Sequence, residues 1–248
     1  MLHNTFCRRL AALVLTLAVA VSAVLPVFAV YPMPIQTATE TEAVYLFNAD
    51  TGKTLLTQNA DQPRYVASLT KMMTALLLLE SGKDLNGEVT VPTDLTQEFK
   101  DIQNANGTTM GLRIGETVRR IDLLNALLIT SANDAASVIA WDVGGSLNAF
   151  IQQMNARAAE LGCTSATFTC AHGLYDYGNV ASAEDMAKIA AACAANETFA
   201  QVAGSTTYTL GQTNFHSEQR TISSSNPLMD ASGAYYKDSV KWVKGGFT

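Results

Sequence analysis

Histidine is scarce in this chain. His3, His172 and His216 are all there are, and three residues so far apart do not suggest a metal centre. Cysteine is almost as rare. Of four, Cys7 falls in an apolar N-terminal leader, and Cys163, Cys170 and Cys193 form an odd set with no C-x-x-C pair. That leaves neither a disulfide framework nor a zinc site. Cys163 and Cys170 would pair only if "CTSATFTC" bends back on itself, and buried free thiols are the plainer reading. Positive charge is also short: 16 Lys and Arg face 22 Asp and Glu, a net of -6, and residues 1–29 hold two of the arginines and no acid, so the rest stands at -8. That sign argues against a nucleic-acid surface and against a membrane surface held by electrostatics. No internal repeat or low-complexity tract is visible. No metal and no cofactor is expected.

One long apolar run is present, from Leu10 to Ala29, behind Arg8 and Arg9 and broken at Pro26 before Val27-Phe28-Ala29. This is the pattern of a signal peptide over residues 1–29, cut after Ala29. A retained anchor is the alternative, since the run approaches the roughly 20 residues that a spanning helix needs. Either way the remainder is exported. Residues 30–42 read as a polar, proline-containing spacer. Residues 43–248 are enough for one well-cored domain.

"AVYLFNADTGKTLLTQ" puts two short apolar-rich runs around Asn48-Ala49-Asp50-Thr51-Gly52, a hairpin signal with Asp and Gly supplying the turn. "VASLTKMMTALLLLESGK" follows as a helix apolar on nearly every face, which belongs inside a domain. Residues 84–117 read as irregular and polar. "RRIDLLNALLI" and "NDAASVIAWDVGG" read as two helices joined by a turn at "TSAN". "SLNAFIQQMNARAAELG" starts at a Ser N-cap and stops at Gly162, and "SAEDMAKIAAACAANETF" opens with a Ser182-to-Asp185 capping pattern. "TTYTL" and "SVKWVKGGFT" read as strands. Hairpin, helices, then strands predicts an α+β fold in which one antiparallel sheet gathers strands from both ends of the chain, with helices packed on it.

Three short stretches could carry chemistry. Ser68 and Lys71 lie three apart, so on a helix the amine reaches the hydroxyl, and a lysine with a lowered pKa can take a serine's proton. Alone the signal is weak, because S-x-x-K arises by chance about once in a few hundred positions; the plain alternative is an N-cap serine beside a snorkelling lysine. Ser131 and Asn133, two apart in a tight turn, could face one cleft, or could simply cap the next helix. Lys244-Gly245-Gly246-Phe247-Thr248 ends an alternating strand, where glycines beside a lysine let a substrate backbone approach closely, or make an ordinary glycine-rich turn.

In this order S-x-x-K, S-x-N and K-x-G form the motif series of the active-site-serine penicillin-recognising enzymes. The chain resembles that superfamily, and the D-alanyl-D-alanine carboxypeptidases above all, through "FNADTGKTL", "ASLTKMMTALL", "GETVRRIDLLNALLITSANDAA", "FIQQMNARAAELG" and "FTCAHGLYDYGNVASAEDMAKIA", over about residues 43–248. The resemblance implies a β-lactamase/transpeptidase-like fold with a mostly helical subdomain. It implies that Ser68 is the acylated nucleophile, Lys71 its proton acceptor and Ser131 the relay to the leaving amine. Asn133 would hold the substrate's amide side chain or carbonyl, and Lys244 with Gly245, Gly246, Phe247 and Thr248 would bind its terminal carboxylate and line its backbone. The backbone N–H groups of Ser68 and Phe247 would form the oxyanion hole. His172 reads as a loop-organising residue. The implied substrate is a peptidoglycan stem peptide, with β-lactams as inhibitors and no nucleic acid, at the outer face of the bacterial membrane or in the wall. Membrane association would run through a further C-terminal segment or a retained leader.

Two departures stand out. The family's Lys-Thr-Gly is Lys244-Gly245-Gly246 here, one hydroxyl fewer for the carboxylate, and the chain stops at Thr248, where the family fold goes on to further strands and a helix. The expectation is a domain incomplete at its C-terminus. A serine β-lactamase is the second reading, disfavoured because the middle motif is Ser-Ala-Asn and because none of Glu160, Glu184, Glu197 and Glu218 has an Asn four positions on. The third is a penicillin- or peptidoglycan-binding protein that has lost turnover.

Overall fold

The computed structural model describes residues 40–174 and 176–247; the expected leader, residues 30–39 of the spacer, and Thr248 lie outside the described residues. The hairpin forms as read. β1 (Val44–Phe47) and β2 (Thr54–Gln58) pair antiparallel, Tyr45 opposite Thr57. Asn48 Oδ1 accepts the Thr51 N–H at 2.9 Å, and Gly52 supplies the positive φ of +67° that closes the turn.

β3 (Arg64–Tyr65) leads into a 3-10 turn, Ala67–Thr70, and then α1, Lys71–Glu80. α1 is apolar all round, and Met72, Met73, Ala75, Leu76 and Leu78 are buried. A helix with no polar face is stable only if neighbours cover every side. Four later helices do so: α3 (Arg120–Ile129), α4 (Asn133–Gly144), α5 (Leu147–Glu160) and α6 (Ala183–Ala194), with α7 (Glu197–Ala203) closing the end. Fully burying each leucine contributes roughly 1.5–3 kcal/mol. The core holds Leu123, Leu124 and Leu127 of α3, Val138 and Ile139 of α4, Phe150 and Met154 of α5, and Phe199 of α7. The expected caps are present, Ser146 accepting from the Ala149 N–H and Ser182 from the Asp185 N–H. Past Ala194 the chain breaks its helix, and Asn196 caps α7 by accepting the Phe199 N–H at 3.0 Å.

Three expectations are corrected. Residues 84–117 are not irregular: β4 (Glu88–Thr90) pairs with β5 (Thr117–Arg119), and α2 runs Thr96–Asn104. α2 escapes the hydrophobic pattern because Ile102 is the residue it buries. Among the described residues the strands do not gather into one sheet. They make four two-stranded antiparallel ladders, β1-β2, β3-β6 (Val180–Ala181), β4-β5 and β7-β8 (Thr207–Leu210 with Arg220–Ser223). Finally, the expected strand ending at Lys244-Gly245-Gly246 joins no ladder among the described residues. Its alternation records side-chain packing instead: Val240 and Trp242 are half-buried, and the Trp242 ring meets Phe199 edge-on at 5.2 Å. The α+β class stands, and the remaining cysteines are free thiols, with Cys193 buried.

Candidate active site

Ser68 lies on the 3-10 turn rather than on α1, where residues i and i+3 eclipse. That eclipse brings the Lys71 amine to 3.0 Å from Ser68 Oγ. Lys71 does not snorkel: it is 0% exposed. Its Nζ donates also to Asn133 Oδ1 at 2.8 Å and to the His172 carbonyl at 2.5 Å. Burial, and then the like charge of Lys244, lower the Lys71 pKa from 10.5 to about 7, Cys170 and Asp134 opposing.

The three contacts do unequal work. An amide oxygen and a peptide carbonyl only accept, so each needs an N–H from Lys71. A neutral amine has two N–H groups and one lone pair. With both hydrogens committed to Asn133 and His172, the lone pair is left facing the Ser68 hydroxyl. In that neutral form the arrangement would suit an amine that accepts a proton from Ser68 Oγ.

The capping alternatives fail. Neither the 3-10 turn nor α1 has a side-chain cap bond, and the residue at the N-cap of α4 is Ala132, also without one. Ser131 instead adopts φ +61°, a left-handed conformation strained for a non-glycine residue. Its Oγ accepts from Lys244 Nζ at 3.1 Å, and Lys244 also donates to the Gly245 carbonyl at 2.7 Å. Burial lowers the Lys244 pKa to about 8. Asn133 is nearly all buried, and its Nδ2 donates to the Thr108 carbonyl at 2.9 Å. One cleft is lined by Ser68, Ser131, Asn133 and residues 244–247 together. Gly246 passes so close to the nucleophile that a Cβ there would lie 3.1 Å from Ser68 N. Beside Gly245 the space is open.

Several contributors carry no clear sequence signal. The loop behind the cleft is tied to the 3-10 turn and α1 by Asn179 Nδ2 on Thr70 Oγ1 (2.8 Å) and Thr74 Oγ1 on the Ala171 carbonyl (2.6 Å). Asp134, buried beside Asn133, accepts the N–H groups of Met110, Gly111 and Leu112. His172 organises its loop as expected, Nδ1 accepting the Leu174 N–H at 3.0 Å, and it also faces Glu98 of α2. Ser224, Ser225 and Asn226 also line the cleft. Among the described residues no group of three or more His, Cys, Asp or Glu side chains is placed to hold a metal ion, and no helix is long and apolar enough to cross a membrane.

A family model described as D-alanyl-D-alanine carboxypeptidase matches residues 32–248. The chain is 33% identical to the D-alanyl-D-alanine carboxypeptidase DacF of Bacillus subtilis over 153 residues, 62% of this chain and 39% of that protein. It is 32% identical to a D-alanyl-D-alanine endopeptidase of Pseudomonas aeruginosa over 175 residues, 71% of this chain and 54% of that one. The chain therefore spans between about two fifths and just over half of these relatives. Among solved structures, the Streptomyces K15 DD-transpeptidase superimposes with a TM-score of 0.69 at 30% identity, covering 77% of this chain and 76% of that one. A D-alanyl-D-alanine carboxypeptidase of Mycobacterium tuberculosis gives 0.66 at 27%, covering 76% and 67%.

Proposed function

Because this chain belongs to the D-alanyl-D-alanine carboxypeptidase family, we propose that it is a serine DD-carboxypeptidase that removes the terminal D-alanine from peptidoglycan stem peptides outside the cytoplasmic membrane. Neutral Lys71 takes the proton of Ser68 as its Oγ attacks the penultimate carbonyl. The N–H groups of Ser68 and Phe247 hold the resulting oxyanion, at about 3 kcal/mol per donor. Ser131 relays a proton to the departing D-alanine nitrogen as the peptide bond breaks, and water then hydrolyses the ester on Ser68. Lys244 binds the terminal carboxylate, and the second amide hydrogen of Asn133 holds the substrate backbone. A β-lactam carries the same reactive amide and carboxylate, and acylates Ser68 the same way. The observation that carries the reading is the buried Lys71 amine, 3.0 Å from Ser68 Oγ with both its other contacts pure acceptors.

The pH dependence follows. Lys71 acts as a base only when neutral, so kcat/KM for D-alanine release rises with pH through a limb near 7. Lys244 binds carboxylate only when charged, so the rate falls again from about 8 upward. The two amines repel, so these midpoints belong to the pair. D-alanine released from an N-acylated peptide ending in D-Ala-D-Ala, assayed across pH, tests activity and profile together. No release would remove the proposal, and a flat profile below neutrality would make Lys71 a fixed charge rather than the base.

Gly245 supports the reading of impaired turnover, since no hydroxyl stands where the family carries threonine. A hydroxyl on a carboxylate is worth about 1.5–3 kcal/mol, or roughly ten- to hundred-fold in kcat/KM. Because a side chain there would meet nothing within 4 Å, Gly245→Thr is expected to fold normally and to raise release about tenfold or more. An unchanged kcat/KM would show that the carboxylate is bound elsewhere.

A further inference from the structure

We infer that Glu98 is a positioning residue for Lys71: through His172 it holds in place the backbone carbonyl that takes one of the two N–H bonds orienting the base. The inference rests on the proposed role of Lys71. The first observation is a chain of contacts. Glu98 Oε1 meets His172 Nε2 at 3.0 Å and accepts the Ser137 hydroxyl at 2.8 Å. Ser137 sits one turn past Asn133 on α4, its Oγ 3.3 Å from the Asn133 carbonyl. Asn133 Oδ1 and the His172 carbonyl both accept from Lys71. Glu98 therefore stands directly behind the His172 acceptor and beside the turn of α4 that carries Asn133, on a helix that buries one residue of its own, Ile102.

The second observation is the clamped ring. The Leu174 N–H needs the Nδ1 lone pair of His172, so the ring proton sits on Nε2 and points at Glu98. One flat ring thus joins the loop backbone on one side to a carboxylate on the other. A free imidazole could turn about its side-chain bonds, and this one cannot without breaking two hydrogen bonds. The His172 bond holds the Glu98 carboxyl below its usual range against the opposing effect of burial. Burial disfavours a charged ring, but Cys170 and Glu98 outweigh it and raise the His172 pKa from 6.5 to about 9; the Leu174 N–H, which needs an unprotonated Nδ1, opposes that protonation and favours the ring with its proton on Nε2. Around the Lys71 amine the other charged or titratable neighbours are Lys244, Cys170 and Asp134. Glu98 acts on it by geometry, two bonds removed.

The sign of the effect follows. A carbonyl that accepts from an ammonium stabilises the charged form, so a carbonyl that drifts away lowers the lysine pKa. A loosened acceptor also leaves the neutral lone pair misdirected, and a misplacement of about 1 Å can cost up to a hundredfold. Glu98→Ala should therefore lower the plateau of Ser68 acylation by a penicillin about tenfold and move its acid limb to lower pH. Glu98→Gln keeps an oxygen for the Nε2 proton and should restore both, the plateau to within about threefold of the parent. Nitrogen NMR of the His172 ring supplies a readout independent of turnover: a single Nε2-protonated tautomer in the parent and in Glu98→Gln, an averaged one in Glu98→Ala.

A fallen plateau with an unmoved limb, or Glu98→Gln failing as badly as Glu98→Ala, would overturn the inference, since lost packing alone predicts either. Parent-like acylation and tautomer in Glu98→Ala would overturn it too. If the parent takes no penicillin at all, the proposed role of Lys71 falls and this inference with it, whereas a parent that acylates beside an unaffected Glu98→Ala sinks the inference alone.

Discussion

Ser68→Ala will gain no mass from a penicillin, while the parent chain gains one adduct per molecule, read by intact-mass spectrometry and mapped to Ser68. The other hydroxyls around the cleft do not have this one's surroundings. Ser131 Oγ faces Lys244, whose pKa is lowered less than that of Lys71, and Thr70 Oγ1 is occupied by the Asn179 amide. Among the described hydroxyls around the cleft, Ser68 alone meets an amine that also contacts two pure acceptors. Removing one oxygen should leave the fold intact, because Ser68 caps no helix and is half-buried. The expected effect is therefore loss of the adduct with an unchanged melting temperature. An adduct that persists on Ser68→Ala would mean that another nucleophile serves the cleft.

Gly173→Ala should be nearly as damaging without touching a reacting atom. Gly173 has φ +78°, and a Cβ built there lies 1.8 Å from the Ala67 carbonyl oxygen, 2.4 Å from its carbon and 2.8 Å from Thr70 Oγ1. The first two obstacles are backbone and cannot swing aside. They belong to the turn that carries Ser68, itself strained at Ala67 with φ +45°. The methyl would push the 171–174 loop off that turn, and with it the His172 carbonyl off Lys71. Left-handed strain of about 1–2 kcal/mol and overpacking of about 1–3 kcal/mol add. Stability should fall by about 2–5 kcal/mol in chemical denaturation, and acylation by about a hundredfold. Gly115→Ala is the control, since Gly115 has φ +83° but open space around it. Equal effects from the two would show that dihedral strain alone is at work and that the loop contact carries nothing.

What the sequence makes legible is what local pattern decides. The Asn48–Gly52 turn, the serine caps at Ser146 and Ser182, and the helix pair around "TSAN" appear because each is settled within a few residues. The triad of motifs is legible through order and spacing, although the Ser68 to Lys71 contact arises on a 3-10 turn and not on the α-helix that spacing suggests. Glu98 is hidden because α2 is short and mostly polar, with Phe99 and Ile102 its two apolar residues, so the segment reads as a polar connection and nothing places the carboxylate on a face. The His172 carbonyl is hidden because every residue has one, and only the folded loop selects which one meets Lys71. The same holds for Ala67 and Ser131, where tertiary contacts impose a positive φ that neither side chain favours. The Lys244 segment shows the converse: its alternation is real, but alternation reports a half-buried face and cannot name a ladder partner.

The burial of Lys71 also sets a thermodynamic slope on the whole fold. An unfolded chain holds this proton up to pH 10.5, and the folded one releases it near 7. As pH falls through that interval the unfolded state takes up a proton that the native state resists, so native stability declines toward neutrality, by about 5 kcal/mol in total, and levels off below it. The amine is therefore a usable base near neutral pH for the same reason that it is a liability there, and the helices packed around α1 must hold a reserve of stability large enough to keep it poorly solvated.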